Sequence, residues 1–248
     1  MAAEKLIINA DDLGMWPSID LGILAAWAEG GISDSTLMAT SPNLPAVLHA
    51  AEAAGLPAGV HLNLTNGAPL SDPAEIPALV TPEGVFLRRQ QWQHPLPIPQ
   101  IRLELTRQVE LILAHGWQPT HLDSHHHAHN TPEVLAVTIE LAREHQLPVR
   151  ATSDAMRDAL RSVNIPTTDH FTIDFYAAAT VERLIQLVDS CPGGVLEIMA
   201  HPGFISPDQP GAYRDDRQRE LDALIDPRWH AYLAEKGIPL VGFREGAR

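Results

Sequence analysis

Lys5-Leu6-Ile7-Ile8-Asn9-Ala10-Asp11-Asp12-Leu13-Gly14 decides how the rest of the chain is read. Its first five residues are a short apolar strand, of the kind buried on both faces in a parallel sheet. Two carboxylates follow at the strand's end, in a turn that closes at Gly14. Pro17 to Glu29 then reads as a helix, with Pro in its first turn and Gly30-Gly31 as its stop. The unit is therefore β then α, with acid delivered at the C-terminal end of the strand.

The same alternation continues outward. Ser35–Ala39 and Gly59–Leu64 read as strands, and Leu44–Ala54 as a helix ended by Gly55. The stretch from about 66 to 99 is rich in Pro and Gly, too long for a plain connection and of the length used for functional loops. Ile101, Leu105, Val109 and Ile112 then share one helical face. Short strands are expected at Pro119–Leu122, Val149–Thr152, Phe171–Phe175, Gly194–Ala200 and Pro239–Phe243. Helices are expected from Pro132, from Val181 behind a Thr180 cap, and as one element over about Asp216–Lys236, with a second long loop at about 202–215. Seven or eight strands alternating with helices over 248 residues predict a single-domain α/β fold, a distorted (β/α) TIM-like barrel of mostly parallel strands, with an open doubly wound sheet as the other solution.

Composition excludes whole classes. Acidic residues outnumber basic ones 31 to 17, a net charge of −14, which opposes a nucleic-acid or anionic-membrane surface. One cysteine, Cys191, excludes a disulfide framework and a cysteine-built zinc module. No apolar run approaches the roughly 18 residues of a membrane span. The first apolar run, Leu6–Ile8, is too short for a secretory signal, so the expected location is cytoplasmic. There is no G-x-G-x-x-G, no phosphate-binding loop and no G-x-S-x-G, which disfavours nucleotide and serine-nucleophile chemistry. A homodimer is the default oligomer and nothing in the sequence refines it.

Histidine is the outlying count, at 13. Asp11-Asp12, His61, Asp123-Ser124-His125-His126-His127-Ala128-His129, Arg150 and His201-Pro202-Gly203 all fall at C-terminal ends of expected strands. In a parallel barrel those ends converge on one face, where active sites are built. Taken singly each has an ordinary explanation: turn chemistry for the Asp pair, a buried hydrogen-bonded histidine for His61, a surface tract for 125–129, an ion-pair partner for Arg150. Their common placement points to a metal or acid–base site. In extended backbone His125, His127 and His129 would share one side, with His126 opposed. A carboxylate with two imidazoles and open positions is the donor set of a catalytic divalent metal. An adjacent unligated carboxylate could then take a proton from water, and a histidine across the site could give one to a leaving amine.

Asn9-Ala10-Asp11-Asp12-Leu13-Gly14, Gly59-Val60-His61-Leu62-Asn63-Leu64-Thr65, Thr120-His121-Leu122-Asp123-Ser124-His125-His126-His127 and Ala200-His201-Pro202-Gly203 resemble, in order, the motifs of the YdjC-like carbohydrate deacetylases. That family includes chitooligosaccharide deacetylase and hopanoid-associated relatives. The likeness runs from residue 6 to about 243 and takes in Tyr213-Arg214, Arg217 and Glu220-Leu221. It implies removal of an acetyl group from a small N-acetylated amino sugar or short oligosaccharide by a metal-activated water. Asp12, His61 and His125 would be the ligands of one divalent ion, with His127 as the rival for the third place. Asp11 would be the base, by a looser analogy with NodB-type deacetylases, Arg150 would orient it, and His201 would be the general acid. Leu13 stands where the family usually has Phe. The resemblance implies Mg²⁺, whereas two imidazole donors favour Zn²⁺ or another transition ion. Trp92 and Tyr213, on the two longest loops, are candidates to stack on sugar rings. The competing readings are a metal-dependent barrel phosphoesterase or sugar isomerase, and a non-catalytic carbohydrate- or metal-binding barrel.

Overall fold

The computed structural model describes residues 2–176, 178–207 and 213–248. The chain starts with β1 (Lys5–Leu13), buried at every position but its first. Helix α1 (Pro17–Ala28) begins with Pro in its first turn, as expected. β2 (Asp34–Leu37), α2 (Leu44–Ala54) and β3 (Ala58–Leu62) follow. The long loop contains a 3₁₀ turn at Arg89–Gln91 and ends where α3 (Ile98–Ala114) begins. Next come β4 (Leu122–Ser124), a 3₁₀ segment over His125–Asn130, and α4 (Pro132–His145). The last part runs α5 (Asp154–Ser162), β5 (His170–Thr172), α6 (Val181–Ser190), β6 (Val195–Ala200), α7 (Arg214–Leu224), α8 (Pro227–Lys236) and α9 (Phe243–Gly246).

Among the described residues the sheet has six parallel strands in the order β4-β3-β2-β1-β6-β5, not seven or eight, and it curls without closing into a barrel. The two strands expected at 149–152 and 239–243 each shrink to one bridge. Val149 pairs only with Leu122, and Leu240 only with Leu6. At the first, Pro148 before Val149 has no N–H to give a ladder. At the second, Gly242 turns the chain into α9, whose first N–H goes to the Asp34 carboxylate (2.9 Å) instead of to a strand. The single helix expected at 216–236 is two, because Asp226 caps a new start and Pro227 cannot continue the old one. Part of the loop expected at 202–215, residues 208–212, lies outside the described residues. No described helix is long and apolar enough to cross a membrane.

One close approach fixes the geometry around the strand ends. A Cβ on Gly22 of α1 would lie 2.4 Å from Gly203 Cα, so only glycine lets α1 lie against the 201–203 turn. The Gly203 N–H also bonds the Arg217 carbonyl (3.2 Å), which ties α7 to the same corner.

Candidate active site

Two adjacent residues in a strand point to opposite faces, so an Asp-Asp pair should deliver one carboxylate to each side. Here it does not. Ala10 pairs with Ser35 and Leu13 with Leu37, so β1 spends one residue more than β2 across Asp11-Asp12. The result is a β-bulge, with Asp12 in the left-handed region at φ 74°. The bulge turns both carboxylates toward one cavity, a strained backbone that marks this position as special.

That cavity, of about 580 Å³, opens at the C-terminal ends of the strands and is lined by Asp11, Asp12, His61, His125, His127, His201, Tyr176, Tyr213 and Arg217, among others. His61 and Asp123 are register partners on β3 and β4, which places them side by side. His61 Nδ1 donates to Asp123 Oδ1 (2.7 Å), since a carboxylate can only accept. This leaves His61 Nε2 facing Asp12 Oδ1 at 3.4 Å. His125 is held in the same manner: its Nδ1 bonds Thr65 Oγ1 (2.7 Å) and its Nε2 lies 4.0 Å from Asp12 Oδ1. Asp12 Oδ1 is buried, and no hydrogen bond from the described residues reaches it. Its other oxygen accepts from Arg217 Nη2 (2.5 Å).

Beneath the cavity floor Arg150 is fully buried and joins three carboxylates. Nη1 and Nη2 donate to Asp11 Oδ2 and Oδ1 (2.7 and 2.8 Å), and Nη1 also lies 2.7 Å from Asp123 Oδ2. Nε donates to Glu197 Oε1 (2.5 Å). Asn9 Nδ2 gives Asp11 Oδ1 a further bond (2.8 Å). Burial pushes the Asp11 carboxyl up, but the Arg150 charge and its hydrogen bonds outweigh that and hold it well below the usual carboxylate range. Asp12 is likewise held low, burial being overcome first by Arg217. His61 is displaced the other way, to about 10, because Asp123 and Asp12 outweigh its burial. Burial keeps His125 neutral, at about 3.

Asp11, Asp123 and His61 also bring one donor atom each to within 4.8 Å of one another. In that trio both carboxylates are already bonded to Arg150, and Asp123 holds His61 Nδ1. A cation there would have to displace a buried guanidinium.

His201 follows β6 at the cavity wall. Its backbone N–H donates to Glu220 Oε2 (2.5 Å), while its ring Nδ1, 3.8 Å from Glu220 Oε1, makes no hydrogen bond among the described residues. The Tyr213 hydroxyl donates to Glu220 as well, and the Tyr213 ring meets His201 edge-on, with Tyr176 stacked on Tyr213 at 4.4 Å.

The structure thus gathers Asp11, Asp12, His61, His125, His127, His201 and Tyr213 around one cavity, with Arg150 supporting it from below. Two expectations are corrected. The histidine run is not extended: His126 and His127 have φ of 54° and 49° in a 3₁₀ segment. His127 meets Phe171 edge-on, while His129 is buried against Ser124. Trp92 does not face the cavity. It is buried in the apolar core under the long loop, with an edge contact to His94. Asp123, Thr65, Glu197 and Tyr176 carry no site role from sequence alone. For Asp123 the signal was its place between two strand-end histidine motifs. For Arg217 and Glu220 it was their spacing of four and seven from Tyr213, one face of a helix.

A family model described as YdjC-like protein matches residues 5–235. The chain is 39% identical over 249 residues to a carbohydrate deacetylase of Geobacillus stearothermophilus, with 96% of each chain covered. It is 32% identical over 256 residues to a chitooligosaccharide deacetylase of Serratia marcescens, covering 98% of this chain and 99% of the other. A crystal structure from Enterococcus faecalis V583, described as a candidate cellobiose-phosphate cleavage protein, superposes with a TM-score of 0.90 at 31% identity over 100% of both chains. A family 4 carbohydrate esterase from Streptomyces lividans, solved with acetate, shares the fold alone, with a TM-score of 0.54 and 16% identity over 100% of this chain and 97% of that one. Matched across residues 5–235 and more than 30% identical to full-length relatives, the chain belongs to the YdjC-like protein family.

Proposed function

We propose that this protein is a metal-dependent carbohydrate deacetylase, an amidohydrolase that releases acetate from a small N-acetylated amino sugar or short oligosaccharide. The relatives named carbohydrate deacetylase supply the reaction class. The observation that carries the metal is Asp12 Oδ1, a buried carboxylate oxygen without a hydrogen bond, facing two imidazole nitrogens whose far sides are already fixed. Without a metal His61 meets Asp12 as an imidazolium, so a divalent ion would take the place of its Nε2 proton and supply the positive charge between Asp12 and the two imidazoles. Asp12, His61 and His125 would hold one divalent ion there, with Asp123 and Thr65 orienting the imidazoles from behind. His127, the rival ligand, has no such support on its far side. When bound, the ion lowers the pKa of water and polarises the acetamide carbonyl. A donor set of two imidazoles and one carboxylate fits Zn²⁺ or a neighbouring transition ion better than Mg²⁺.

The protein's own groups perform the remaining steps. Asp11, kept ionised by Arg150 at any working pH, accepts the proton of the attacking water. His201 donates from its ring to the departing amine, while Glu220 holds the His201 backbone N–H at the cavity wall. Tyr213, stacked with Tyr176, forms an apolar wall for the sugar ring. Arg217 is the one Lys or Arg among the described lining residues, and it already pairs with Asp12, which suits a neutral sugar better than a phosphorylated one. The test is acetate release from N-acetylglucosamine and short chitooligosaccharides by metal-stripped protein reloaded separately with Zn²⁺, Co²⁺, Ni²⁺ and Mg²⁺. Restored release by one or more ions is the expected result. Release that survives metal stripping, or absence of release with every ion, would overturn the proposal.

A further inference from the structure

We infer that a second cavity beside the first is a subsite for the neighbouring sugar ring of an oligosaccharide, with Trp16 as its stacking platform; this rests on the proposed deacetylase reading. The cavity, of about 450 Å³, is lined by Met15, Trp16, Ser18, Asp20, Ser41 and Asn43, among others. Met15 lines both cavities, so the two adjoin. The chain from Asp12 to Trp16 can span no more than about 14 Å, within reach of a di- or trisaccharide anchored at Asp12.

Trp16 occupies the N-cap of α1, where a side-chain oxygen normally takes a helix N–H. Ser153, Thr180 and Asp226 do so at the starts of α5, α6 and α8, whereas α1 shares with α2, α3, α4, α7 and α9 a start without a side-chain cap bond. Indole has only a donor, and Trp16 makes no cap bond. The Trp16 ring is partly buried against the main hydrophobic core and also lines the second cavity. Its surroundings suit a sugar: a flat apolar face beside the hydroxyls of Ser41 and Ser18, the Asn43 amide, and the Asp20 carboxylate, which Gly14 N–H holds in place (2.6 Å).

Trp16→Ser and Trp16→Phe test this, because serine restores a cap and phenylalanine keeps a ring. For Trp16→Ser, kcat/KM on triacetylchitotriose is expected to fall about fivefold to tenfold, mostly through KM, with N-acetylglucosamine changed by less than about twofold. Trp16→Phe should recover most of the loss. An equal loss at every chain length, or none, would overturn the subsite. If no chain length yields acetate, the deacetylase reading fails and the subsite is decided by tryptophan fluorescence titration with intact triacetylchitotriose. A saturable change in the wild type that is absent from Trp16→Ser supports it. Identical curves refute it.

Discussion

The two ends of the sheet carry the same residue types and use them in opposite ways. At the N-terminal end, Asp34 at the start of β2 and His121 just before β4 form a buried carboxylate–imidazole cluster. Asp34 accepts from Phe243 N, Ser35 N and Thr120 Oγ1 (2.9, 3.0 and 2.8 Å), and Thr120 also bonds His121 Nδ1 (2.9 Å). Phe243 lies flat on the His121 ring at 3.5 Å and seals the end. Among the described residues no Lys or Arg pairs with Asp34, so burial lifts its carboxyl to about 6 and drives His121 well below its ordinary value. At the C-terminal end, Asp11 and Asp12 are equally buried but pulled down by Arg150 and Arg217, and one oxygen of Asp12 faces a cavity with no bond. Burial and residue type are shared. What separates a site from a plug is an open valence beside space, under carboxylates held charged.

Substitutions can break that contrast or sharpen it. Asp11→Asn should lower kcat by about 10² to 10⁴, the worth of a general base, with metal content unchanged and stability reduced, because buried Arg150 loses a paired charge; acetate release, metal analysis and denaturant unfolding on the same sample check this. Arg150→Met should blur the division, since it strands the Asp11, Asp123 and Glu197 carboxylates. Loss of about 3–5 kcal/mol in denaturant unfolding, together with loss of turnover, is expected. Phe243→Ala should cost a similar 3–5 kcal/mol in unfolding by opening the plug, yet leave kcat per folded molecule near wild type. The smallest effect is in pH. Asp34 holds its proton more tightly folded than unfolded, so its contribution is fully present below about pH 4 and is lost as pH rises through about 6. Metal-free wild type should therefore lose on the order of 2 kcal/mol relative to Asp34→Asn across that window. Asp11 and Asp12 have the opposite sign: their contribution is present above the ordinary carboxylate pKa and lost on acidification.

Much of this was legible in the sequence where one local rule was decisive. β1, α1, α2 and α6 follow from an apolar run, Pro at a first turn, Gly55 as a left-handed stop and Thr180 as a cap. α5 was missed although Ser153 caps it on Met156 N, because its apolar side is only Met156 and Leu160. The missing strands failed for tertiary reasons. Asp34 takes the Phe243 N–H, and after Pro148 the Val149 N–H goes to the Pro166 carbonyl, neither of which a pattern of alternation reveals. For the site, strand-end placement collected acids and histidines that line one cavity. The bulge at Asp11-Asp12 and the left-handed His126 and His127 decide which of them face one another. Those depend on register with β2 and on contacts across the cavity. Trp92 shows the converse: a tryptophan in a polar loop was core.

Where a divalent ion binds separates Asp12, His61 and His125 from every other group at the cavity. Metal content and affinity should be measured for the wild type, Asp12→Asn, His125→Ala, His127→Ala and Asp123→Asn after stripping and reloading with Zn²⁺. Asp12→Asn and His125→Ala should lose the ion, His127→Ala should keep it, and Asp123→Asn should bind about 10- to 100-fold more weakly, as expected for a group that only orients a ligand. Loss of the ion in His127→Ala, or its full retention in Asp12→Asn with complete loss in Asp123→Asn, would contradict the account.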